Sequence, residues 1–104
     1  MTYRLFIDDE RFPMTPDWFV ARNSYQAIKA LELYGVPREI AFDHDLGGQD
    51  TAINFINHLE NKLIDNDLKL PKGFKYTVHS QNPIGAMNIA SKMDGLIDYF
   101  GFKE

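Results

Sequence analysis

Three short apolar runs in this 104-residue chain stop abruptly on polar clusters. Tyr3-Arg4-Leu5-Phe6-Ile7 ends on Asp8-Asp9-Glu10, Glu39-Ile40-Ala41-Phe42 ends on Asp43-His44-Asp45, and Tyr76-Thr77-Val78 ends on His79-Ser80. Runs this short, bounded this sharply, suit strands buried in a parallel sheet. Trp18 to Arg22 is a fourth candidate strand. The segments between them carry helical signals. Ser24 is placed to cap a helix through Tyr34, with Ala27, Ile28, Leu31 and Tyr34 on its apolar face, and Gly35 and Pro37 stop it. Asp50 or Thr51 caps a second helix to about Asp65, buried along Ile53, Ile56, Leu59 and Leu63. Asn82 caps a third, with Pro83 at its first position and Met87, Ala90, Met93 and Ile97 as the expected inner face.

The resulting order, β-β-α-β-α-β-α, is that of an α/β fold with a mainly parallel four-stranded sheet, one domain over residues 1–104. Pro13 and Pro16 keep the connection between the first two strands from being a helix, and its seven or eight residues are short for a parallel crossover. The chain has no cysteine, which excludes a disulfide scaffold, a thiolate nucleophile and a sulfur-ligated zinc. Fifteen acidic against eleven basic residues argue against a double-stranded DNA partner. No apolar run approaches the roughly 20 residues of a membrane span. The first nine residues turn acidic at Asp8, unlike a signal peptide. The expectation is a soluble cytoplasmic protein with no membrane partner.

Ligands of open parallel sheets bind beyond the carboxyl ends of the strands. Singly, each polar residue there has a plain reading: a solvated turn aspartate, a cap, a neutral histidine at a sheet edge. Together they place two of the chain's three histidines among several carboxylates, which a merely solvated sheet end does not require. The third, His58, lies mid-helix and reads as a surface residue. Clustered carboxylates repel one another unless some are protonated or a cation binds. Oxygen ligands favour Mg²⁺, Ca²⁺ or Mn²⁺ over zinc, so Asp8, Asp9 and Asp43 are the expected ligands of a divalent ion, Mg²⁺ or Mn²⁺ foremost, that would also attract phosphate.

The three segments resemble the phosphoacceptor pocket of response-regulator receiver domains: the acidic pair Asp8-Asp9, an aspartate at Asp43 and a hydroxyl at Ser80. This chain is shorter, lacks a helix after the first strand and shows no lysine ending a fifth strand. It is more closely similar to the cyclic-phosphate-processing receiver family, with Leu5-Phe6-Ile7-Asp8-Asp9-Glu10-Arg11-Phe12-Pro13, Asp43-His44-Asp45-Leu46-Gly47 and Thr77-Val78-His79-Ser80-Gln81-Asn82-Pro83-Ile84-Gly85 in the family's order. Ile7 and Gln81 stand where Leu and Ala are common. The resemblance implies a receiver-like (flavodoxin-like) three-layer fold, truncated relative to a full receiver, with strand order 2-1-3-4. It also implies cyclic-phosphate chemistry in RNA repair or nucleotide-based conflict.

On this reading the protein is a metal-assisted phosphoesterase acting on RNA 2′,3′-cyclic ends or small cyclic nucleotides. His44 and His79 are the expected acid and base, suited by an ordinary pKa near 6.5, and Asp45 supports a histidine. Ser80, Asn82 and Arg11 bind the phosphate, helped by the start of the last helix. At solvent-facing strand ends, both histidines should be replaceable without loss of core volume. A non-catalytic module holding a nucleotide or protein is the alternative, with Trp18, Phe19, Tyr99, Phe100 and Phe102 as possible aromatic anchors. An aspartyl-phosphate mechanism at Asp43, of the haloacid-dehalogenase type, ranks last because that class needs a downstream lysine and a larger scaffold.

Overall fold

The alternation of short apolar runs and amphipathic segments builds one parallel sheet with helices against it. The structure, a computed structural model, describes residues 2–101; Phe102 lies outside them. In chain order the elements are β1 (Arg4–Ile7), β2 (Phe19–Ala21), α1 (Ser24–Tyr34), β3 (Glu39–Phe42), α2 (Ala52–Ile64), β4 (Lys75–Val78) and α3 (Pro83–Phe100). All four strands are parallel, in the order β2-β1-β3-β4. Ile7, Phe42 and Val78 are level across the sheet, so the residues that follow them emerge side by side. No helix among the described residues is long and apolar enough to cross a membrane.

Side chains alternate across a strand. Leu5, Ile7, Ile40 and Phe42 face one way and join a single core with Leu31, Phe55, Ile56, Leu59, Ile89 and Met93. α2 lies between α1 and α3 on this face. Among the described residues the opposite face carries no helix. There, in place of a third helical layer, segment 8–18 crosses the sheet. The Trp18 and Phe6 rings stand edge to face with centroids 6.0 Å apart, the Arg4 guanidinium lies 4.2 Å from the Trp18 ring centre, and Arg4 pairs with Asp17 at 2.6 Å. The cause is the proline-broken connection after β1, which reaches β2 without forming the helix that would cover this side.

Two local expectations are corrected. Asn23, not Ser24, caps α1: its extended backbone lets its side chain accept from the Gln26 N–H at 2.8 Å. Ser24 instead donates both its N–H and its hydroxyl to Asp50, at 2.8 and 2.6 Å, tying the start of α1 to the loop before α2. The buried stripe of α3 is Gly85, Ile89, Met93 and Leu96. Met87, expected inside, is 70% exposed, because the close approach of α3 at Gly85 sets the helix's rotation.

Candidate functional site

The sheet's hydrogen bonds run one residue past the strands and fix the level of the site. Asp8 N–H donates to Ala21 O (3.1 Å), Asp43 N–H to Ile7 O (2.8 Å) and His79 N–H to Phe42 O (2.8 Å). By alternation, Asp8, Asp43 and His79 all turn to the face without helices. The expected convergence of three strand ends is therefore present, and it is asymmetric about the sheet.

Asp8 is the hub. It is fully buried. Its Oδ1 accepts N–H groups from Glu10 and Arg11, both at 2.9 Å, and its Oδ2 lies 2.9 Å from His79 Nε2 and 3.6 Å from Arg11 Nη1. Burial alone would raise its pKa, but the Arg11 and Glu10 N–H groups and His79 outweigh it and hold Asp8 below the usual carboxylate range. Asp43, also buried, moves the other way: burial first, then the neighbouring Asp8 charge, push its pKa up against the pull of Arg11, the His44 N–H and His79.

His79 spans β3 to reach Asp8. It does so above the small Ala41, the β3 residue level with Phe6, and the imidazole stacks on Phe6 with centroids 4.9 Å apart and planes 10° apart. Removing His79 thus uncovers Phe6 and strands Asp8. This corrects the expectation that strand-end histidines are packing-neutral.

His44 stands on the other side of the site. Its Nδ1 is 3.0 Å from Asp45 Oδ1, and Asn82 Nδ2 donates to Asp45 Oδ2 at 3.3 Å. Bonds from His44 and Asn82 lower the pKa of the exposed Asp45. Asn82 Oδ1 caps α3 at the Gly85 N–H, 2.9 Å away, so both ends of this side chain are engaged within the protein. Ser80 Oγ accepts from Asn82 N–H at 3.0 Å. His44 packs flat against Gly85, where a Cβ would meet its Cγ at 2.4 Å. Gly85→Ala, a gain of about 1 kcal/mol by helix propensity, is therefore expected to be net destabilising by ~1–2 kcal/mol through overpacking. A thermal melt at or above wild type would show that the ring shifts freely.

Asp9, Glu10, Arg11, Asp43, Asp45, Ser80, Gln81 and Asn82 line an open pocket of about 330 Å³. Four carboxylates meet one guanidinium there. Arg11 Nη1 also donates to His79 O at 3.0 Å, joining two strand ends. The two histidines are not among the lining residues; each is held by a carboxylate at the pocket's border. Carboxylate oxygens of Asp8, Asp9 and Asp43 lie within 4.8 Å of one another, close to the about 4–5 Å across a six-coordinate divalent ion. Asp9 and Asp43 lead that set, since both oxygens of Asp8 already have donors. A larger cavity of about 560 Å³ between α2 and α3 is lined largely by apolar residues such as Ile56, Ile64, Leu96 and Tyr99, without histidine or a carboxylate cluster.

Sequence reasoning missed Arg22 and Gly85. Arg22 Nη1 donates to Asp8 O at 3.1 Å and Arg11 O at 2.5 Å, fastening the turn that carries Asp8. Its place after β2, beside Asp8 in register, was the available signal. For Gly85 the signal was a glycine in the first turn of a helix. His58, read as a surface residue, is half-buried with Nε2 3.5 Å from Glu32 Oε2, between α2 and α1.

The architecture and the strand-end acidic pocket are those of a small receiver-like α/β protein. A model of the cyclic-phosphate processing receiver domain matches residues 3–95, and the chain belongs to that family. Comparison with curated proteins and with solved structures finds no significant match.

Proposed function

We propose that the strand-end pocket is a divalent-metal-assisted phosphoesterase site for cyclic phosphates, taking RNA 2′,3′-cyclic ends or small cyclic nucleotides, in RNA repair or nucleotide-based conflict. One observation carries the reading: two histidines, each backed by a carboxylate, flank a pocket in which four carboxylates face a single arginine. An anionic substrate is repelled by that lining unless a cation joins it. A divalent ion at Asp8, Asp9 and Asp43 would supply the charge that draws in and polarises the phosphoryl oxygens.

The carboxylates orient the histidines. Donation from His79 Nε2–H to Asp8 leaves Nδ1 as its basic atom, and donation from His44 Nδ1–H to Asp45 leaves Nε2. Opening the ring needs water to add to phosphorus and one ester P–O bond to break. One histidine takes the water's proton and the other supplies a proton to the departing oxygen. Arg11 faces the same anion. Because neither imidazole lines the pocket, substrate must draw the rings inward, a tightening common to sites described without ligand. The same observation favours the second reading, a phosphate-binding module without turnover.

The deciding assay follows hydrolysis of a nucleoside 2′,3′-cyclic phosphate with Mg²⁺ or Mn²⁺ and with EDTA, alongside thermal melts. Metal-dependent turnover is expected, with a higher melting temperature in millimolar-range ion through binding linkage. Asp43→Asn should abolish that rise. Identical melts with and without the ions remove the metal, and absent turnover with retained phosphate binding leaves the binding module.

A further inference from the structure

We infer that Phe12 is a stacking platform for the base of a nucleotide whose phosphate lies in the acidic pocket; the inference rests on the cyclic-phosphate reading above. Phe12 directly follows the pocket residue Arg11 and is 78% exposed, so it contributes little to the core. It is nevertheless held in place. The Arg22 guanidinium lies 4.5 Å from its ring centre, and that guanidinium is itself anchored on the Asp8 and Arg11 carbonyls. The cation that fastens the Asp8 turn thus also supports one face of the ring. With one face on Arg22 and most of the ring exposed, the other face is open to solvent, one residue along the chain from the pocket-lining Arg11.

A flat apolar surface one residue from an acidic pocket that takes phosphate through a bound cation matches a ligand that is flat at one end and anionic at the other. Aromatic side chains bind unpaired bases in this manner, with little dependence on base identity. The setting favours a nucleotide over a protein partner: the ring rests on the Arg22 guanidinium directly after the charged pair Glu10-Arg11, and it is not part of the apolar cavity between α2 and α3. The predicted substrate is therefore a cyclic phosphate that carries a base, with Phe12 acting on affinity rather than on the chemical step.

Calorimetric titrations of the whole chain, in Mg²⁺, with uridine 3′-monophosphate, ribose 5-phosphate and inorganic phosphate test this. The wild type should bind the nucleotide roughly 5- to 150-fold more tightly than the base-free sugar phosphate, the range for one stacked base. Phe12→Ala should erase that difference, Phe12→Trp should keep it, and affinity for the two base-free ligands should be unchanged in both. In turnover, Phe12→Ala should raise KM for a nucleoside cyclic phosphate and leave kcat alone. Equal affinity of the wild type for nucleotide and sugar phosphate, or equal losses for both in Phe12→Ala, overturns the platform while the pocket stands. Failure of all three ligands to bind overturns the pocket reading and the platform with it.

Discussion

Asp8→Ala is expected to destabilise the protein by about 3 kcal/mol or more, whereas Asp43→Asn is expected to stabilise the metal-free protein. The two carboxylates are neighbours of opposite energetic sign. Asp8 accepts two backbone N–H groups and His79 while fully buried. Its removal leaves those donors without a partner, at about 1–3 kcal/mol each. Asp43 carries a charge that burial and Asp8 both oppose, so neutralising it relieves the site. For a domain of this size ~1 kcal/mol corresponds to roughly 4–8 °C in melting temperature, and denaturation at neutral pH reads both.

Their pH dependence separates the causes. The Asp8 pKa is depressed on folding, so its stabilisation is present above the unfolded value near 3.9 and is lost as pH falls through the lower folded value. The Asp43 pKa is raised, so the wild type loses stability as pH rises through the folded value. The advantage of Asp43→Asn should therefore vanish in acid. Equal destabilisation by both variants at neutral pH would show that the two carboxylates do not repel in the folded protein.

His79→Ala or His44→Ala should each lower turnover of a cyclic phosphate by roughly 10²–10⁴. The double variant should lose much less than the product, since the two act on one reaction as a unit. His79→Ala also removes the stack on Phe6 and a donor to Asp8. His79→Gln is the sharper variant because its amide N–H can still serve Asp8 while it cannot relay a proton. A fall in kcat with a near-normal melt in His79→Gln assigns proton transfer to His79. Full activity in both single variants removes the histidines from the mechanism. Zero turnover in the wild type, with phosphate affinity that drops in the variants, makes this a binding module.

Much of this was legible in the chain itself. Apolar runs ending on Asp8, Asp43 and His79 announce strands with a shared polar end, because a buried strand tolerates charge only where it leaves the core. Parallel pairing then brings those ends level, and the strand order followed from the receiver resemblance. Asn82 and Pro83 marked the start of α3 by capping chemistry, which is local. What depends on contacts between distant segments was decided only in three dimensions. His79 reaches Asp8 across β3 by lying on Phe6, whose β3 neighbour is the small Ala41. α3 turns Met87 outward because Gly85 lets His44 pack against its first turn. Helices occupy one face of the sheet because a loop held by Trp18 and Arg4 crosses the other. The periodicity of a segment tells which of its residues share a face; the shape of the neighbour that face meets sets its rotation and reach, and that neighbour comes from elsewhere in the chain.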